Sequence, residues 1–232
     1  MTTRLWFVVP AAGASLRMGA ARPKQYLELR GRTVLEWSLA PFLADPRFAG
    51  GAVAIAADDP YWSGLPAAVR ERVTAVTGGR DRCDSVLAGL RALADAAADD
   101  WVLVHDAARP CLPRADLDRL VEACWQDSVG GLLAAPLADT LKRAADGRVE
   151  RTLERDGLWR ALTPQMFRRR PLEQALVAAI AAGERPGDEA TALERLGERP
   201  LLVAGSSLNI KITRPADLAF ASAGLAALEA AA

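Results

Sequence analysis

Residues 7–26, FVVPAAGASLRMGAARPKQY, decide how the rest of this chain is read. Residues 5–9 are a short apolar run that reads as a buried strand, and Pro10 stops it. Ala11, Ala12, Gly13, Ala14 and Ser15 follow with almost no side-chain bulk. Cations come next, Arg17 and Lys24 among them, with no acid between these two. Small residues let backbone N–H groups approach phosphate oxygens, and the cations supply charge, so the stretch suits a polyphosphate. Taken alone, the glycine loop reads equally as an ordinary tight turn. It is not a Walker A loop, because no Gly-Lys-Ser/Thr follows. Nor is it the dinucleotide fingerprint: the second glycine falls at Ser15, and Pro23 delays any long helix.

Working outward, the chain alternates. Strands are expected at residues 5–9, 52–57, 73–77, 101–105 and 131–135. Helices are expected from Thr33, across 60–70, from Asp84 or Ser85 and from Arg114. Leu35, Leu39 and Phe42 fall on one helical face, as do Val86, Leu90, Leu93 and Ala97. This βαβαβαβαβ order implies a Rossmann-like α/β fold, a mostly parallel open sheet with helices on both faces. Residues 139–157 break the pattern. They are polar and partly alternating about Asp146-Gly147, which reads as a projecting β-hairpin arm, either a solvated excursion or a contact with a second subunit. Residues 159–165 return to the body. Helices from Pro171 and Asp188, strands at 201–204 and 208–212, and a helix opened by Pro215 complete one domain spanning 1–232.

Composition excludes several classes of protein. Lys+Arg and Asp+Glu balance at 29 each in 232 residues, which argues against a nucleic-acid partner, since such binding needs a basic surface. Three cysteines at unrelated spacings fit a reducing cytoplasm better than a disulfide framework. No signal peptide and no membrane-spanning run is expected. With a single histidine and scattered cysteines, no zinc-ligand spacing is present, and no metal-ligating residues are assigned. His105 reads as a packed, hydrogen-bonded residue, and no Gly-x-Ser-x-Gly elbow supports a serine triad.

The polar motifs follow the strands. Residues 10–13, GGRDR at 78–82, DAARP at 106–110, residues 136–140 and Lys211 each fall where a strand ends. Open parallel sheets bind ligands at the carboxyl ends of their strands, so these motifs are expected to share one edge.

Eight segments, PAAGASLRM, PKQYLEL, GGRDRCDSVLAGL, VLVHDAARP, APLADTLKR, RDGLWRALTPQMF, DEATALE and NIKITRPADL, carry a resemblance that runs from Val8 to about Leu218. The chain resembles the 2-C-methyl-D-erythritol 4-phosphate cytidylyltransferases of the non-mevalonate route to isoprenoids. These are nucleotidyltransferases with a nucleotide-diphospho-sugar transferase type of fold. The resemblance implies CTP against Ala11, Ala12, Gly13, Arg17 and Lys24, with Arg17 and Lys24 on the α-phosphate. It implies cytosine near Gly79 and Ser85, with Arg82 in the same motif. The polyol phosphate would meet Asp106, Arg109, Thr140, Arg155 and Lys211. Arg17, Lys24, Arg155 and Lys211 would be catalytic, and Thr140 and Arg155 would serve the partner's site in a homodimer. Mg²⁺ would be carried mainly on the CTP phosphates. Two departures stand out: Ser15 where the family commonly has glycine, and Arg80 where some relatives have an acid.

The implied reaction needs little acid–base help. A phosphate nucleophile has its second pKa at about 6 and is already largely anionic at neutral pH. Triphosphate plus monophosphate carries roughly −6, of which Mg²⁺ offsets about +2. Arg17, Lys24, Arg109, Arg155 and Lys211 would offset most of the remaining −4 or so if all five converge. Singly, each of these cations also reads as solvated surface charge. Asp106 reads as a turn cap, a ligand for a polyol hydroxyl or an orienter of Mg²⁺ through water. A cytidylyltransferase for another polyol phosphate, such as ribitol 5-phosphate, is the nearest alternative. An NAD-dependent oxidoreductase lacks its GxGxxG, and a non-catalytic nucleotide sensor would have no need of the retained cations.

Overall fold

The computed structural model describes residues 3–13 and 22–231. Arg17 and Ser15 lie outside the described residues. A seven-stranded sheet runs β11-β7-β10-β6-β1-β4-β5, with β1 Leu5–Pro10, β4 Phe48–Ile55, β5 Thr74–Thr77, β6 Trp101–Val104, β7 Gly130–Pro136, β10 Trp159–Arg168 and β11 Leu201–Ala204. Neighbours are parallel except around β10, which is antiparallel to both β6 and β7. The expected mostly parallel sheet is therefore present, with one strand reversed at its middle.

Alternation along the strands builds a core on each face. Leu5, Phe7 and Val9 of β1 and Trp101 and Leu103 of β6 pack on one side with α1 (Val34–Leu43) and α4 (Arg114–Trp125). Trp6, Val8, Val102 and Val104 pack on the other with α3 (Arg82–Ala92), α5 (Arg169–Ala181) and α6 (Glu189–Glu194). Gly89 of α3 lets the helix approach β1 closely: a Cβ there would stand 2.4 Å from Val8 Cγ1. Thr33 starts α1 with a capping box: its Oγ1 accepts from Glu36 N–H, and Glu36 Oε2 accepts from Thr33 N–H at 2.7 Å.

Several expectations shift. The helix expected across 60–70 is a single 3₁₀ turn, Trp62–Gly64, and a short α2, Ala67–Arg70, separated by Pro66. A small hairpin, β2 Glu28–Leu29 and β3 Arg32–Thr33, precedes α1. The cap of α3 is Asp81, so Ser85 lies within the helix and Ala97 beyond its end. Residues 208–212 are not a strand. Their backbone serves the interior instead: Asn209 O accepts from Arg109 Nη1, Ile212 N–H donates to Ala108 O and Ile212 O accepts from Lys24 Nζ. The hairpin arm is present as β8 Leu141–Ala145 and β9 Arg148–Leu153, an exposed two-stranded sheet of its own. Its turn places Asp146 and Gly147 at φ 50° and 74°, the conformation that the Asp-Gly pair accepts. The last helix is α7, Asp217–Ala230.

Candidate active site

The chain steps from β1 to β4 and β5 on one side of the sheet, then starts again with β6 on the other. That switch point opens a crevice at the strands' carboxyl ends. A cleft of about 530 Å³ lies there, lined by Ala11, Ala12 and Gly13 after β1, residues 79–82 and Ser85 after β5, residues 106–108 after β6, and Lys24 and Lys211.

The wall after β1 is held by a residue that the sequence did not advertise. Gln25 is buried, and its Nε2 donates to Ala11 O at 2.6 Å and Gly13 O at 3.2 Å. Ala11 N–H continues the ladder to Ala54 O, so backbone donors facing a ligand begin beyond Ala11. On the opposite wall, Gly78 N–H donates to Ile55 O, Gly79 N–H donates to Ser85 Oγ at 3.1 Å, and Ser85 Oγ donates to Asp81 O. Ser85 thus shapes the turn beside the cleft. A Cβ on Gly79 would lie 2.2 Å from Asp84 Cβ, so glycine is required for this close approach.

Between the walls stands Asp106, 6% exposed and ringed by cations. Arg82 Nε donates to its Oδ1 at 3.1 Å. Its Oδ2 accepts from Lys211 Nζ at 2.9 Å and Arg109 Nε at 3.3 Å. Burial alone would raise the Asp106 pKa, but Arg82, Lys211 and Arg109 outweigh burial and hold it well below the usual carboxylate range. The other edge of Arg82 grips Glu189, Nη1 to Oε1 at 2.6 Å and Nη2 to Oε2 at 3.1 Å. Behind Asp106, its N–H donates to Thr163 Oγ1 at 3.1 Å. Thr163 is there because β10 runs antiparallel, which brings its first half beside the carboxyl end of β6.

His105 is fully buried between Arg109 O, 3.0 Å from Nε2, and Thr163 Oγ1, 3.0 Å from Nδ1. A carbonyl only accepts, so Nε2 carries the proton and Nδ1 accepts from the threonine. Burial pushes its pKa down to about 4, and it stays neutral at pH 7. This agrees with the packed, hydrogen-bonded reading.

Of the residues singled out from sequence, Ala11, Ala12, Gly13, Lys24, Gly79, Arg82, Ser85, Asp106 and Lys211 line the cleft. Arg109 reaches it through Asp106. Lys211 arrives on an irregular loop instead of at the end of a strand. Thr140 and Arg155 do not join the group. Both are exposed at the base of the arm, where Arg155 donates to Ala138 O. Of the five cations weighed together, Lys24 and Lys211 line the cleft, Arg109 reaches it through Asp106, Arg155 stands on the arm, and Arg17 lies outside the described residues. Gln25, Thr163, Glu189 and Asn209, each buried and polar, were not foreseen as site residues.

A buried anion held among cations, facing a loop of small residues at the switch point of an open α/β sheet, suits the handling of phosphate groups. The family model of 2-C-methyl-D-erythritol 4-phosphate cytidylyltransferase (IspD) matches residues 5–227. The 2-C-methyl-D-erythritol 4-phosphate cytidylyltransferase of Ectopseudomonas mendocina is 56% identical over 223 residues, covering 95% of each chain. A crystal structure of a 4-diphosphocytidyl-2C-methyl-D-erythritol synthase superposes with a TM-score of 0.85 at 37% identity, covering 97% of this chain and 100% of that one. The Francisella tularensis 2-C-methyl-D-erythritol 4-phosphate cytidylyltransferase does so with a TM-score of 0.83 at 34% identity, covering 96% and 100%. The chain belongs to the 2-C-methyl-D-erythritol 4-phosphate cytidylyltransferase family.

Proposed function

We propose that the chain transfers CMP from CTP to 2-C-methyl-D-erythritol 4-phosphate, releasing pyrophosphate and serving isoprenoid precursor biosynthesis. The observation that carries this reading is the cation ring about Asp106, set opposite the loop of Ala11, Ala12 and Gly13 at one strand edge. A phosphate oxygen of the polyol attacks the α-phosphorus, the bond to the bridging oxygen breaks, and pyrophosphate leaves with its electron pair. The nucleophile needs no base, in keeping with a histidine that is buried, neutral and bonded on both nitrogens.

The chain's work is electrostatic and positional. Lys24 stands beside the nucleotide loop, and Arg17 belongs to that loop in sequence. Both serve the α-phosphate. Ser85 and Gly79 set the turn that faces the base. Arg109 and Lys211 draw in the polyol phosphate, and Asp106 anchors both on one oxygen and accepts a polyol hydroxyl. Among the described residues no group of three His, Cys, Asp or Glu side chains is placed to cage a metal. Asp106 already shares its charge among three cations, which disfavours it as a direct ligand for a divalent metal. These residues fit a Mg²⁺ that is held chiefly by the nucleotide's own phosphate oxygens and neutralises part of their charge.

The whole chain acts as one domain, with the 139–157 arm joining two copies. Thr140 and Arg155 project from the arm instead of facing their own cleft, which supports their service to the site of a second subunit. Exposed Val149, Leu158 and Trp159 give the arm and its root an apolar contact surface. Balanced charge argues against nucleic-acid partners. No helix among the described residues is long and apolar enough to cross a membrane. A cytoplasmic location fits a CTP-dependent reaction and three buried free cysteines.

Pyrophosphate release from CTP, assayed separately with 2-C-methyl-D-erythritol 4-phosphate and ribitol 5-phosphate, tests the substrate. Release with the first and background with the second is expected. The reverse would keep the mechanism and overturn the substrate.

A further inference from the structure

Two oxygens of Asp106 serve three cations, and their sharing is uneven. Arg82 takes Oδ1 through Nε alone, and Oδ2 is left to Lys211 and Arg109. An arginine facing a carboxylate ordinarily presents two N–H groups in parallel, a stronger and more directional pairing. Arg82 does not, because both its Nη groups are engaged by Glu189. Glu189 is fully buried and lines neither the cleft nor the adjoining cavity of about 300 Å³ that also opens onto Arg82, Asp106 and Lys211. Its place is fixed in turn. Gln165 of β10 accepts from Ala190 N–H at 2.8 Å and donates to Asp188 Oδ2 at 3.0 Å, pinning the first turn of α6 on which Glu189 sits.

We propose that Glu189 is a positioning residue: by occupying both Nη groups of Arg82 it limits Arg82 to one oxygen of Asp106, which leaves the other to Lys211 and Arg109. The inference rests on the reading that Asp106, Arg109 and Lys211 receive the polyol phosphate. Without the Glu189 charge, Arg82 turns its fork onto Asp106 and competes for Oδ2. The two phosphate-directed cations then lose their common anchor. Burial sharpens the effect, since a desolvated guanidinium left with one carboxylate closes on it.

The test is steady-state kinetics of Glu189→Gln, which keeps the volume and one acceptor but removes the charge. kcat/KM for methylerythritol phosphate is expected to fall about tenfold or more, through a raised KM for that substrate, while KM for CTP moves less than about twofold. In an Arg82→Lys background the same change is expected to add less than about twofold, because the fork it restrains is gone. A second variant, Gln165→Leu, loosens α6 without touching the charge, and the same split is expected in weaker form. It carries the test where Glu189→Gln does not fold. A merely structural role would lower kcat with the folded fraction and leave both KM values alone, and that result overturns the proposal. Wild-type parameters in Glu189→Gln would overturn it as well. If the unmodified enzyme releases no pyrophosphate from CTP and methylerythritol phosphate, the underlying reading fails and takes this inference with it. If it does so and the variants show no split, only the inference fails.

Discussion

His105 shows how little acid–base chemistry this site retains. Its two nitrogens are spent on Arg109 O and Thr163 Oγ1, and the same threonine holds Asp106 N–H. The imidazole therefore braces the floor under Asp106. Its titration has a stability consequence with a definite sign. Burial depresses its folded pKa from 6.5 to about 4, so the unfolded chain binds more protons between those values. The stabilisation is complete above about pH 6.5 and is lost as pH falls towards 4, on the order of 3 kcal/mol in all. His105→Gln supplies a non-titrating donor and acceptor. Urea unfolding of both proteins at pH 7.5, 5.5 and 4.5 should show the wild-type advantage shrinking steadily with acid. A pH-independent difference would mean that the imidazole does not titrate as its burial requires. Asp106 acts with the same sign at lower pH: Arg82, Lys211 and Arg109, outweighing burial, hold its pKa down, and the stability this gives is lost as pH falls below the ordinary carboxylate range.

At the scale of elements, local pattern made β1, β6, α3 and α4 legible, because continuous apolar runs and helical spacing act within a few residues. β10 was visible only in fragments. Residues 159–165 read as a return to the body, yet the strand runs from Trp159 to Arg168 and inserts between β6 and β7. Nothing local encodes a pairing that joins Gln165 to Val104 on one side and Leu132 on the other. Residues 208–212 misled in the opposite direction. Their apolar alternation resembles a strand, but Arg109, Ala108 and Lys24 take up the backbone groups that a ladder would need. The arm reads correctly as a hairpin because Asp146-Gly147 fixes its turn. Its proposed role as a contact between two copies is open to a direct test. Arg155→Ala and Lys211→Ala should each be nearly inactive as pure proteins. If Arg155 serves the second subunit, mixing and refolding them together should restore about a quarter of the wild-type sites, since half the dimers then carry one intact site of two. Activity that stays at the level of the separate variants would place Arg155 in its own subunit's site or outside the chemistry.

For the whole molecule, the shared edge of the polar motifs was readable once the strands were placed, because strand–loop order decides which loops meet. The internal wiring was not. Gln25, Thr163 and Glu189 carry no pattern that separates a buried, fully bonded polar side chain from a solvated one, and each acquires its meaning from a partner distant in sequence. The fold thus assembles a cationic edge at a switch point and steadies it with one carboxylate in the cleft and one behind it. The most direct test is ³¹P NMR of a mixture of CTP, Mg²⁺ and methylerythritol phosphate with wild-type protein and with Lys211→Ala, whose side chain is 40% exposed and so can be truncated with little effect on folding. The account predicts a new pair of coupled diphosphate resonances with free pyrophosphate for the wild type, and the same products at least about 100-fold more slowly for Lys211→Ala. Orthophosphate in place of a diphosphate product, or an undiminished rate in the variant, would contradict it.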